Sequence, residues 1–81
     1  MTTFDTSDLG LAAALALTYT MEDVDESNPR RMIFYFSGSE QMLEDVKSYL
    51  NGTLKVSALN YQAKYRQLKA RTYQNTGFLY R

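Results

Sequence analysis

Residues 32–36 read Met-Ile-Phe-Tyr-Phe, and this run constrains the fold more than any other feature of the chain. Aromatic and β-branched side chains fit a pleated strand, whose alternation places Met32, Phe34 and Phe36 on one face and Ile33 and Tyr35 on the other. The segment just before it, Asp25-Glu26-Ser27-Asn28-Pro29, cannot continue a regular element. Asn28 is driven out of the helical region by the following proline, and proline presets a turn. Upstream again, Thr18 to Val24 favours extended structure. The expectation is an antiparallel hairpin with strands near 18–24 and 31–37. A two-stranded hairpin is marginal alone, so helices must cover one side. The other side is left for the tail residues Phe78 to Tyr80, a second copy or a partner.

Three segments carry helical spacing. Thr6 or Ser7 with Asp8 caps the first, near 8–17, whose Leu9, Ala12, Ala13, Ala16 and Leu17 share a face. Gly10 weakens this helix by up to ~1 kcal/mol. A capping box from Ser37 to Glu40, with Ser39 as a competing cap, opens the second helix, near 39–51. Its stripe is Met42, Leu43, Val46, Tyr49 and Leu50, and Asn51-Gly52 ends it as a left-handed cap. The third, near 57–73, lines one face with Ala58, Tyr61, Tyr65, Leu68 and Thr72. The predicted architecture is therefore α+β, a single small domain over 1–81 in the order α-β-β-α-α. Its ordered part is expected over about 6–73, with a loose start and a flexible tail at 74–81.

Much of this pattern resembles a family of short prokaryotic and phage proteins classed only as a domain of unknown function. The resemblance is carried by Thr6, Ser7, Asp8, Leu11, Ala12 and Ala13, then by the Ser27-Asn28-Pro29-Arg30-Arg31 turn with Phe34 and Phe36. It continues through Tyr49, Asn51, Gly52, Val56 and Ala58 to Leu68, Lys69 and Tyr73. It implies an accessory protein of the cytoplasm, the host cell's if phage-encoded, often belonging to a mobile element, and it implies no reaction.

The chemistry open to the chain is narrow. Without histidine or cysteine, neither a Ser-His-Asp nor a Cys-His nucleophile nor a usual zinc site can be built, and no disulfide is possible. Its four glycines are scattered at 10, 38, 52 and 77, so no phosphate-cradling loop exists. The cluster Glu22, Asp23, Asp25 and Glu26 fails the calcium-loop pattern, since the sixth position from Asp23 is Asn28 and the twelfth Phe34. No enzyme activity, no cofactor and no metal are expected. The apolar run Leu9 to Leu17 follows Asp5 and Asp8 rather than a basic segment, which argues against a secretory signal. It also falls short of a membrane span, so no membrane role is expected.

Charge supplies the remaining signal. All nine carboxylates lie in the first 50 residues beside only Arg30, Arg31 and Lys47, a net of −6, whereas residues 51–81 carry six cations and no carboxylate. On the last helix Lys64, Gln67 and Arg71 form one stripe, and Arg66, Lys69 and Tyr73 another, flanking the apolar face. Two functions fit. In the first, these residues, with Arg30 and Arg31 at the hairpin turn, contact nucleic acid. In the second, Glu22, Asp23, Asp25 and Glu26 imitate phosphate charges and bind a protein partner, as an inhibitor of a host defence complex would. A structural alternative pairs Arg30 and Arg31 with Glu22 or Asp23 across the hairpin. Self-association through Ile33 and Tyr35 would give a homodimer.

Overall fold

The computed structural model describes residues 1–28 and 30–77, with side chains described as far as Arg71. Pro29, the Tyr73 side chain and the apolar tail Phe78 to Tyr80 lie outside the described residues. The elements run β1 (Thr2–Thr6), α1 (Leu9–Ala16), β2 (Thr20–Asp25), β3 (Ile33–Gly38), α2 (Gln41–Leu50) and α3 (Ala58–Gly77). The expected α+β class, the antiparallel hairpin and the three helices are all present, with one strand more than expected.

That strand corrects the reading of the first residues as a loose start. β1 pairs antiparallel with β3, setting Phe4 opposite Phe36 and Thr6 opposite Phe34. The sheet order is β1-β3-β2, so the aromatic strand is central. The cause is the unsatisfied edge of β3: a strand carrying Phe34 and Phe36 into the core cannot leave its N–H and C=O groups unpaired. At the other end α3 continues to Gly77, past the end expected near Tyr73.

β2 meets β3 with a bulge between Met21 and Asp23. Glu22 is the extra residue, which lets Met21 and Val24 both pack on the core although they are three apart. The inner face, Phe4, Met21, Val24, Phe34 and Phe36, is covered by helix. α1 runs through the middle, its Leu11, Ala12, Ala13, Ala14 and Leu15 all buried, because it touches the sheet, α2 and α3 at once. Alanine is what permits this. A helix enclosed on every side approaches its neighbours closely only when its side chains are small.

The caps differ in part from expectation. Asp8 caps α1, accepting from the Leu11 N–H at 3.1 Å, while the Thr6 hydroxyl accepts from the Asp8 N–H at 3.0 Å. Ser37 does not open α2. It lies in β3 and donates instead to Glu22. Ser39 does not cap with its side chain either: the N-cap of α2 is Glu40, without a side-chain cap bond, and Ser39 supplies only its carbonyl, which accepts from the Met42 N–H at 3.0 Å. α2 closes as expected on Gly52, whose φ of +75° suits a residue without Cβ. On the expected apolar stripes Met42, Val46 and Leu68 are buried. Leu43, Leu50 and Ala58 are exposed, since the single layer of contact around α1 leaves the outer sides of α2 and α3 in solvent.

Gly10 is a point where propensity and packing disagree. A Cβ there would collide with the Tyr49 hydroxyl, and the Tyr61 hydroxyl donates to the Gly10 carbonyl at 3.3 Å. Helix propensity alone predicts that Gly10→Ala stabilises by about 1 kcal/mol. The crowding predicts the opposite: a loss of about 1 kcal/mol, recovered when Tyr49→Phe removes the hydroxyl. Urea unfolding of the two single variants and the double variant measures this, and a stabilised Gly10→Ala would contradict it.

Candidate nucleic-acid interface

α3 is packed on one side only. Tyr61, Lys64, Tyr65 and Leu68 face the body at helical spacing, and over residues 58–71 most of the other side chains are in solvent. No carboxylate occurs anywhere along it. Its basic residues fall on two flanks, as the stripes predict. Arg66 and Lys69 are exposed on one. Lys64 and Arg71 lie on the other, which turns toward the β2–β3 hairpin.

Between that flank and the hairpin is an open cleft of about 760 Å³. Ala16, Met21 and Leu68 form its apolar lining, Tyr19 stands at one side, and Lys64, Gln67, Arg71 and Glu26 supply polar groups. Arg71 Nε donates to Glu26 Oε1 at 3.1 Å, both side chains remaining partly open to solvent. This bond joins the basic half of the chain to the acidic half and fixes the hairpin end against the second half of α3. An exposed pair of this kind contributes about 0–1 kcal/mol, so it orients more than it stabilises.

Arg30 and Arg31 are exposed on the turn that follows. Their expected pairing with Glu22 or Asp23 does not occur among the described residues. Those carboxylates sit level with Tyr35, Phe36 and Ser37, whereas the arginines occupy the far end of the hairpin. The turn there is closed by local bonds, the Arg31 N–H to the Asn28 carbonyl at 3.0 Å and the Arg30 N–H to Asn28 Oδ1 at 3.0 Å.

The acidic residues separate into two groups. Glu26 belongs to the cleft. Glu22 and Asp23 lie on the sheet face that no helix covers, with Glu22 accepting from the buried Ser37 hydroxyl and Asp23 accepting from the Val24 N–H at 2.7 Å. Asp25 shares that face opposite Ile33. Bonds from the Ser27 side chain and backbone hold its carboxyl below the usual range. Asp5, on β1, joins them beside Tyr35. Sequence reasoning missed Asp5 because it missed β1. Among the described residues no three acidic, His or Cys side chains are grouped to hold a metal ion.

Tyr19 was also missed as a site residue. Its hydroxyl donates to Asp45 of α2, and burial first, then this bond, pushes its phenol up to about 12. Burial followed by hydrogen bonding with Tyr61 raises Tyr49 to about 12 as well. Both groups keep their protons in the folded protein above pH 10, where the unfolded chain releases them. Their contribution to stability is thus complete below about pH 10 and is lost as pH rises through about 12. Alkaline titration of phenolate absorbance checks this: Tyr19→Phe and Tyr49→Phe should each delete one late-titrating phenol. If neither variant does so, the burial argument is wrong.

A family model described as Domain of unknown function (DUF5659) matches residues 1–74. No curated protein and no solved structure matches the chain. Among the described residues, no helix is long and apolar enough to cross a membrane.

Proposed function

We propose that the chain, which belongs to this family of unknown function, is a non-enzymatic accessory module of a phage or other mobile element that binds nucleic acid along α3. The supporting observation is the helix itself. It is a helix about 30 Å long with no carboxylate, its described side chains basic on both flanks, and one of those flanks borders a cleft of about 760 Å³. The Arg71–Glu26 bond ties the hairpin to this helix, and Arg30 and Arg31, exposed on the turn that follows Glu26, are assigned further phosphate contacts. Lys64, Arg66, Lys69 and Arg71 contact phosphates, and Tyr73 continues the Arg66 flank by sequence spacing. The work is done in the cytoplasm.

A second reading has its own support. The uncovered sheet face gathers Asp5, Glu22, Asp23 and Asp25 around Tyr35 and Ile33, and none of the three strands carries a Lys or Arg. A host defence protein with a nucleic-acid channel would find phosphate-like charges there. The two readings separate on paired variants. Neutralising the basic residues of α3 abolishes an electrophoretic shift if the helix binds nucleic acid. Neutralising Asp5, Glu22, Asp23 and Asp25 abolishes capture of a protein partner if the sheet is the mimic, whereas Glu26, which faces the cleft, is not needed for it.

A further inference from the structure

We infer that the cleft between α3 and the hairpin takes a single strand in preference to a duplex, holding one base on Tyr19 with Glu26 acting as a built-in competitor for its phosphate; this rests on the nucleic-acid reading above. A duplex presents phosphates to the basic edge of the cleft but keeps its bases stacked inside, so the apolar part of the lining and Tyr19 gain nothing from it. A single strand presents both a backbone and free base faces. The cleft has a matching division. Ala16, Met21 and Leu68 make an apolar lining, while Lys64 and Arg71 stand at its helical edge. Its volume of about 760 Å³ lies in the range of preformed small-ligand sites.

Tyr19 is held ready for stacking. Its hydroxyl is anchored to Asp45. Its ring also passes so close over Gly38 that a Cβ there would lie 2.6 Å from Tyr19 Cδ1. A ring fixed at its tip and along its edge loses little freedom when a base stacks on it, which favours affinity.

Glu26 gives the site its control. Arg71 is already bound to a carboxylate at 3.1 Å, so a phosphate must take Glu26's place. Because that pair is partly open to solvent, the exchange is small in either direction. Glu26 also repels the incoming phosphate, which keeps weak polyanion contacts from saturating the cleft.

The test is fluorescence anisotropy with a labelled homothymidine strand of about twelve nucleotides and with the same length of duplex, at equal low salt. The single strand should bind about tenfold tighter. Tyr19→Leu should reduce single-strand affinity about tenfold and leave duplex affinity unchanged, whereas Tyr19→Phe, which keeps the ring, should retain most of it. Glu26→Gln, at an exposed position that does not threaten the fold, should tighten binding about threefold. Equal affinity for both probes, or weaker binding by Glu26→Gln, would overturn this inference while leaving the nucleic-acid reading in place. Binding of neither probe would remove that reading as well.

Discussion

Phe34→Ala is expected to cost the domain about 3–5 kcal/mol, a large share of the stability that a domain of this size has. Phe34 is 1% exposed at the centre of the sheet, opposite Thr6 on one neighbour and Val24 on the other. Truncation leaves a void where three strands and α1 meet, and no neighbour is free to fill it, because α1 is already in contact on every side. A domain of this size is worth about 4–12 kcal/mol in total, so the loss takes from about a quarter of its stability to all of it. Tyr35→Ala, one residue along on the uncovered face, should cost less than about 1 kcal/mol. Urea unfolding of the two variants measures the difference. Similar losses from both would mean that the sheet is not one-sided.

Replacing Lys64, Arg66, Lys69 and Arg71 together by glutamine should abolish nucleic-acid binding while leaving the fold intact. Arg66, Lys69 and Arg71 are exposed, and Lys64 lies at the mouth of the cleft, so glutamine keeps the helix and much of the stem packing. The loss is electrostatic. Taking four positive charges from a chain of net charge zero leaves −4, and the phosphate contacts go with them. Arg71→Gln alone should cost the least, since Arg71 must first leave Glu26. The matching acidic variant, with Glu22, Asp23, Asp25 and Glu26 neutralised, should bind at least as well as the parent. An electrophoretic shift that survives the basic changes would remove α3 from the account.

The central strand and its turn were legible because alternation over residues 32–36 has only one physical reading and Asn28-Pro29 admits only a break. Three features were not. β1 carries a single large apolar residue, Phe4, among threonines and an aspartate, and its strand character comes from β3 needing a partner. The bulge at Glu22 breaks the period on which strand reading depends, so Met21 and Val24 fall on one face against the alternation. Ser37 matches a capping box in sequence, yet strand pairing claims its backbone and Glu22 its hydroxyl.

The basic flanks of α3 follow from helical spacing alone, whereas the Arg71–Glu26 bond joins residues that only the folded chain brings together. The cleft was out of reach. Ala16, Tyr19, Met21, Glu26 and Lys64 come from separate segments, and only the docking of α3 across α1 brings them together. Self-association through Ile33 and Tyr35 stays a proposal of its own, open to sedimentation at high concentration: Tyr35 is 37% exposed on a face without a helix.

The claim at the centre is that α3 binds nucleic acid through charge, and the salt dependence of binding tests it most directly. Affinity of the wild-type chain for a labelled strand should fall linearly in a log–log plot against salt, by about 0.7 per phosphate contact on a single strand and about 0.9 on duplex DNA. The slope should flatten when Lys64, Arg66, Lys69 and Arg71 are replaced. No binding at low salt, or a slope unchanged by those replacements, would contradict the account.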